Sequence, residues 1–324
     1  VSPTTFSCAD LGANTVTLTI TDNHGNSSTA TSTVTVQDLI APTVVTQNKT
    51  VYLNSTGSAT VVVADIDNGS NDNCAILSSS LNITTFDCND IGQNLVSLSA
   101  TDASGNTGVA GAIVTVLDTI SPNINNLPAN ITAYSVAGQC GATVNWTAIT
   151  GSDNCSVSSV STSTSSGSFF PKGLSTVTVT VNDGSGNSSS SSFTINVIDT
   201  IAPVFTSAAT NISVSPNAGS CDATVTWTAP TATDNCSAVS YTFSQASGST
   251  FPVGNTTVVV TATDADGNSR NTSFVVSVSD VVAPSITNVP ANITQTNDAG
   301  SCDAAVNFVL PTVTDNCTGA TLSS

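Results

Sequence analysis

The sequence predicts an all-β chain, a tandem array of β-sandwich domains joined end to end by very short linkers. Three observations predict it. One run of residues recurs: an Asp-x-x-Gly-Asn turn, an alternating segment, an aspartate and then a proline. Its Gly-Asn asparagines are Asn26, Asn106, Asn187 and Asn268, a period of about 81 residues, and a period of that size marks an array of like domains. The segments flanking each turn alternate apolar with hydroxyl residues, as in Val177, Val179 and Val181 between Thr176, Thr178 and Thr180. Period two is the signature of a half-buried strand. Finally, all 21 acidic residues are aspartate, methionine is absent and only three residues are Lys or Arg, so the long-chain helix formers are scarce while strand and turn formers abound.

Taken in order, each repeat begins with a strand such as Ala142, Val144 and Trp146, or Ala223, Val225 and Trp227, or Ala304, Val306 and Phe308. The strand Val16, Leu18 and Ile20 and its equivalents then lead into the Asp-x-x-Gly-Asn turn. Val34 and Val36, or Phe193, Ile195 and Val197, or Phe274, Val276 and Val278, return from it. Two strands across a short Gly/Asn turn form a hairpin, and several short strands per repeat read as a sandwich of immunoglobulin type. Boundaries fall after Asp38, Asp118, Asp199 and Asp280, each followed closely by Pro42, Pro122, Pro203 or Pro284. The chain therefore divides into the back half of a repeat (1–38), three full repeats (39–118, 119–199, 200–280) and the front half of a fifth (281–324). Linkers so short, closed by proline, leave neighbours little room to swing. The opening Val1-Ser-Pro reads as the interior of something longer.

A net charge of −18 with only Lys49, Lys172 and Arg270 as cations excludes nucleic-acid binding through a basic surface and disfavours an anionic membrane surface. No apolar run reaches the length of a membrane span. Nine cysteines without any Cys-x-x-Cys pair, beside the single His24, point to disulfides in an oxidising, extracellular setting rather than to zinc. Cys74, Cys155, Cys236 and Cys317 lie in Asp-Asn-Cys corners. The spacing pairs Cys155 with Cys140, Cys236 with Cys221 and Cys317 with Cys302, each 15 residues upstream, and Cys74 with Cys88, 14 residues on; Cys8 is left without a partner. Those pairings place the Asp-Asn-Cys corner at the pole where the last strand of its own repeat ends, with the Asp-x-x-Gly-Asn turn at the opposite pole.

Several motifs in register, Cys221-Asp-Ala-Thr-Val-Thr-Trp227, Asp234-Asn-Cys236, Phe251-Pro-Val-Gly254, Thr261-Ala-Thr-Asp264, Gly267-Asn268 and Val276-Ser-Val-Ser-Asp280, resemble the hyalin repeat (HYR) domain. The resemblance covers essentially the whole chain and implies an immunoglobulin-like, extracellular domain associated with adhesion. Repeats one and two depart from the pattern in cysteine placement. The tandem form with few cations resembles the long secreted surface adhesins of Bacteroidota, of the gliding-motility type. That resemblance implies O-glycosylation at Thr119 and Thr200, in Asp118-Thr-Ile and Asp199-Thr-Ile.

Calcium is the one site chemistry the residues support, because hard cations take carboxylate and carbonyl oxygens. The expected clusters are Asp199 with Asp153, Asp264, Asp266 and Asn268; Asp118 with Asp72, Asp183 and Asn187; and Asp38 with Asp10, Asp102 and Asn106. The alternative is turn chemistry alone, in which Asp and Asn side chains bond their own backbone without an ion. Catalysis is not expected: His24 occupies a turn position held elsewhere by Ser104, Ser185 and Asp266, and the serines have no neighbouring base. The leading functional reading is a structural stalk or spacer in a long cell-surface adhesin, whose partners are neighbouring repeats and an unknown glycan or protein. Direct glycan or protein binding by the repeats is the first alternative; Tyr52, Tyr134 and Tyr241 lie outside the core pattern and out of register with one another. A filament assembled head to tail from the split end repeats is the second.

Overall fold

A computed structural model describes residues 1–323. Two compact units make up the chain. One comprises residues 1–129, 146–166 and 176–193, the other 130–145, 167–175 and 194 onward. The third repeat contributes to both.

The first unit holds the complete second repeat. Its main sheet has the order Lys49–Tyr52, Thr107–Leu117, Gly92–Asp102, Ile76–Leu81. The first of these pairs parallel to Val114–Leu117 and the rest pair antiparallel. A short pair, Ser58–Thr60 with Thr85–Asp87, forms the facing layer. The alternation seen in sequence buries Val96, Leu98, Val114 and Val116 completely against Val61, Ile66 and Phe86. The same unit contains the hairpin Gly12–Thr21 with Ser27–Val36. It also contains the third-repeat pairs Asn123–Asn125 with Thr150–Ser152 and Val157–Thr162 with residues 179–183.

The second unit holds the complete fourth repeat with the same design. Ile212–Val214, Ser269–Val278, Gly254–Thr263 and Ser240–Phe243 form one sheet, and Asp222–Val225 with Ser249–Pro252 the facing pair. Trp227 sits edge-on to Phe251 and Phe274, with centroids 5.9 and 5.3 Å away. It closes a core of Ala223, Val225, Val258, Val260, Val276 and Val278. Third-repeat strands Ile131–Tyr134 and Gly141–Val144 pair here with 195–198 and Ser168–Pro171.

Pairing register corrects the expected poles. Ile76 lies opposite Asp102, and Val157 opposite Asp183. The Asp-Asn-Cys corner just before Ile76 or Val157 therefore shares its pole with the Asp-x-x-Gly-Asn turn and faces the preceding repeat. At the other pole, Gly141 lies opposite Pro171 and Ser58 opposite Asp87. Cys140 and Cys88 thus occupy adjacent corners facing the following repeat.

The expected pairs within repeats do not form: in the second and fourth repeats their members, Cys74 and Cys88 or Cys221 and Cys236, stand at opposite poles. The bridges run between repeats instead: Cys8–Cys74, Cys88–Cys155, Cys140–Cys236 and Cys221–Cys317. Cys8 has a partner after all, and Cys302 is free and exposed. Loops of 66 to 96 residues restrict the unfolded chain by about 4.5 kcal/mol each in the chain-entropy account, against about 3 for the shorter loops expected.

Two further expectations are revised. Ala304, Val306 and Phe308 form no strand, since residues 281–323 contain no counterpart of the edge that pairs with Gly141–Val144 or Asp222–Val225. Tyr52 and Tyr134 do hold equivalent positions, opposite Leu117 and Ile198 at the ends of matching strands; a difference of two residues in their distance from the junction aspartates Asp38 and Asp118 hides this in the sequence. Both are exposed, whereas the Tyr241 hydroxyl accepts the Ala232 N–H and is half-buried.

Candidate metal centres at the repeat junctions

Each junction is built from three segments that sequence separates and folding joins. The junction aspartate ends the last strand of one repeat and turns on itself: Asp38, Asp118 and Asp199 accept the N–H of Ile40, Ile120 and Ile201. The Asp-Asn-Cys corner of the next repeat then closes over it. Asn73, Asn154 and Asn235 each donate an amide N–H to the preceding junction carboxylate at 3.2 to 3.3 Å.

The Asp-x-x-Gly-Asn turn completes the set. Asp102, Asp183 and Asp264 each accept two turn N–H groups through Oδ1, as Asp264 does from Asp266 and Asn268 at 2.9 and 2.8 Å. Gly267 supplies the positive φ of +91° that this turn requires. The closing asparagine is a clamp. Asn106, Asn187 and Asn268 donate both to the turn aspartate and to the backbone carbonyl of Asp38, Asp118 or Asp199.

Three carboxylates converge in each case: Asp38, Asp72 and Asp102; Asp118, Asp153 and Asp183; Asp199, Asp234 and Asp264, with candidate ligand oxygens all within 4.8 Å of one another. Sequence reasoning named the first and third members of each triad but took the middle one from the wrong repeat. Asp72 joins Asp38 rather than Asp118, and Asp153 joins Asp118 rather than Asp199. Asp234, with the Ser135 hydroxyl that donates to Asp199 at 2.6 Å, was missed. The signal was the constant offset of 34 or 35 residues from junction aspartate to Asp-Asn-Cys aspartate.

Asp10 belongs to no triad: it accepts from Ser7 and caps the short 3-10 turn Cys8–Asp10. Asp266 also stands outside, paired with Lys172. Asn106, Asn187 and Asn268 enter as clamps through their N–H groups. Thr119 and Thr200 are exposed beside buried Asp118 and Asp199, and His24 is an exposed turn residue whose N–H donates to Asp22.

Ordinary turn bonding leaves oxygens over. Asp38 Oδ2 and Asp199 Oδ2 are buried without a hydrogen-bond partner, on residues only 7% and 2% exposed; Asp72 Oδ1, Asp153 Oδ1 and Asp234 Oδ1 are in the same state. An unpaired buried carboxylate oxygen is costly. At 4.8 Å, two charges such as those of Asp199 and Asp234 repel by about 3.5 kcal/mol at an effective dielectric near 20. One divalent cation relieves both penalties. The donors are all oxygen, which fits a hard cation such as calcium and not zinc.

Burial pushes the Asp102, Asp183 and Asp199 carboxyls up, but hydrogen bonds from Asn106, Asn187 and Ser135, with those of the turn backbones, outweigh it and hold all three below the ordinary value of 3.8. A folded value below the unfolded one stabilises above the unfolded pKa and is lost as pH falls through the folded value. In chelator, the melting midpoint should hold steady from neutral pH to about pH 5 and fall steeply below about pH 4. A midpoint that stays level through about pH 3 would contradict the stabilisation assigned to these hydrogen bonds.

Comparison with known proteins agrees with the repeat pattern. The HYR domain model matches residues 117–197 and 198–278. Hyalin of Strongylocentrotus purpuratus is 35% identical over 316 residues, covering 93% of this chain and 26% of that protein. Hyalin of Lytechinus variegatus is 31% identical over 258 residues, covering 75% and 49%. The chain thus spans about a quarter and about half of the length of these relatives. Among solved structures, a protocadherin GammaB4 extracellular domain aligns over 86% of this chain and 57% of its own at 18% identity, with a TM-score of 0.33, a likeness too distant to carry any argument.

Proposed function

This chain belongs to the HYR domain family, and we propose that it is an extracellular spacer, a segment whose repeats set the reach and stiffness of a longer adhesion protein. The observation that carries the reading is what recurs: the same joint, made of a disulfide, an asparagine clamp and three carboxylates, stands at each of the first three repeat boundaries. A ligand-binding domain repeats its cleft, whereas a spacer repeats its joints. Bridges that persist need an oxidising compartment, which supports a secreted or surface location. A long surface adhesin of the Bacteroidota type is the particular setting we propose.

Calcium at the joints is part of this reading, and it accounts for the leftover oxygens of Asp38, Asp72, Asp153, Asp199 and Asp234. Lys172 sets one joint apart. Paired with Asp266, it holds a positive charge near Asp199 and Asp264. Its position after Pro171 corresponds to Cys88 after Asp87, so the equivalent corner of the second repeat has no cation.

Titrating the whole chain with calcium chloride in a calorimeter, with a thermal melt beside it, tests the joints. Heat of binding and a rise in melting midpoint are expected; ligand at about 100 times Kd contributes about 2.7 kcal/mol. No heat and no shift would remove the cation and leave turn chemistry alone.

One observation favours direct binding as a second reading. Tyr52 and Tyr134, 60% and 58% exposed, hold the same strand position in consecutive repeats, and exposed aromatics suit sugar faces. Glycan-array binding that is saturable and lost in Tyr52→Ala/Tyr134→Ala would replace the spacer reading with this one.

A further inference from the structure

We infer that the four bridges turn the chain into a covalent cable that carries tension past its sandwiches. Followed through the disulfides, the shortest covalent route runs from residue 1 to Cys8, across to Cys74 and along the chain to Cys88. It then crosses to Cys155, returns to Cys140, crosses to Cys236, returns to Cys221 and crosses to Cys317. The route enters each complete repeat at the Asp-Asn-Cys pole and leaves at the other, through segment 74–88, 140–155 or 221–236.

Everything else is off the route: residues 9–73, 89–139, 156–220 and 237–316. These loops hold most of the core, including Val96, Leu98, Val114 and Val116 of the second repeat and Phe251, Val258, Val260, Phe274 and Val276 of the fourth. Force applied at the ends falls on S–S bonds and three short segments. Of the buried apolar residues, only Phe86, Ala142, Val144, Ala223 and Val225 lie in those segments, so the force loads little of the core directly.

The two cysteine arrangements, which looked like divergent repeat types, serve one end. A route segment needs a cysteine at each pole. Cys88 and Cys140 are alternative ways of placing the second one, on the two strands that face each other at Ser58–Asp87 and Gly141–Pro171. The spacer reading supplies the purpose of such a cable and the inference rests on it there; the route itself rests on the bridges alone.

Pulling the full chain by its ends in a force spectrometer tests the route. A path of about 60 residues extends to about 200 Å at about 3.5 Å per residue, whereas the whole chain extends to about 1,100 Å. The oxidised chain should stop near the shorter length, giving up no more than the segments 74–88, 140–155 and 221–236 on the way, and after dithiothreitol should reach the longer one with separate unfolding events of whole repeats. Cys140→Ser removes one crossing and should lengthen the oxidised limit by about 130 Å, the length of about 36 more residues. An oxidised chain that extends fully, a reduced chain that still stops short, or a Cys140→Ser limit equal to the parent's would each overturn the cable. A failed route would take the disulfide out of the joint and leave its asparagine clamp and three carboxylates, on which the calcium and glycan experiments decide the spacer reading separately.

Discussion

Phe251→Ala should lower the stability of the fourth repeat by about 3 to 5 kcal/mol, the range for truncating a fully buried aromatic. Phe251 is completely buried and stands edge-on to Trp227, so its loss removes both area and a ring contact. It lies in the facing pair, opposite Ala223, where neither a triad nor a bridge is touched. Denaturant melts should show one transition moving to lower concentration while that of the second repeat stays in place, because the core of that repeat, from Val51 to Val116, is separate. A loss below about 1 kcal/mol would mean that the cavity collapses and that this core is far softer than its packing implies.

The second large effect separates the two accounts of the junction. Asp264→Ala removes the acceptor of the Asp266 N–H, the Asn268 N–H and the Asn268 amide together. Hydrogen bonds to a charged group contribute about 1.5 to 3 kcal/mol each, and their donors are left unpaired, so a loss of at least about 3 kcal/mol is expected. Asp264→Asn keeps the Oδ1 acceptor and sets an amide against the Asn268 clamp, for a cost of about 1 kcal/mol in chelator. It also removes one of three charges, so at the Asp199 junction it should lose the stabilisation that calcium confers. If the Asn variant responds to calcium at this junction as the parent does, Asp264 is a turn residue and no ligand. Melts with and without calcium, on both variants, give the answer.

Much of the fold was legible because its causes are local. Alternation at Val177, Val179 and Val181 and at Phe274, Val276 and Val278 reports which face of a strand is buried, and all six residues are buried. The turn aspartates were legible for the same reason: Asp264, Asp266 and Asn268 lie within five residues, and their bonds close inside the turn.

The middle aspartates and the bridges were not legible. Whether Asp153 belongs with Asp118 or Asp199 depends on which end of the sandwich its corner occupies, and that is decided by Val157 pairing with Asp183 across the sheet. Cysteines 15 residues apart are equally consistent with a strand out and back or with a passage from pole to pole. In the fourth repeat, Asp222 lies opposite Pro252 and Ser240 opposite Thr263, which puts Cys221 at the far pole from Cys236 and decides for the passage.

By itself the sequence determined that this protein is an array of β-sandwiches with acidic joints, since period, parity and turn chemistry act within a few residues. Only the tertiary structure decided which repeat supplies each carboxylate and each half of a disulfide. Those choices depend on strand register, which is settled by the packing of side chains distant in sequence against one another.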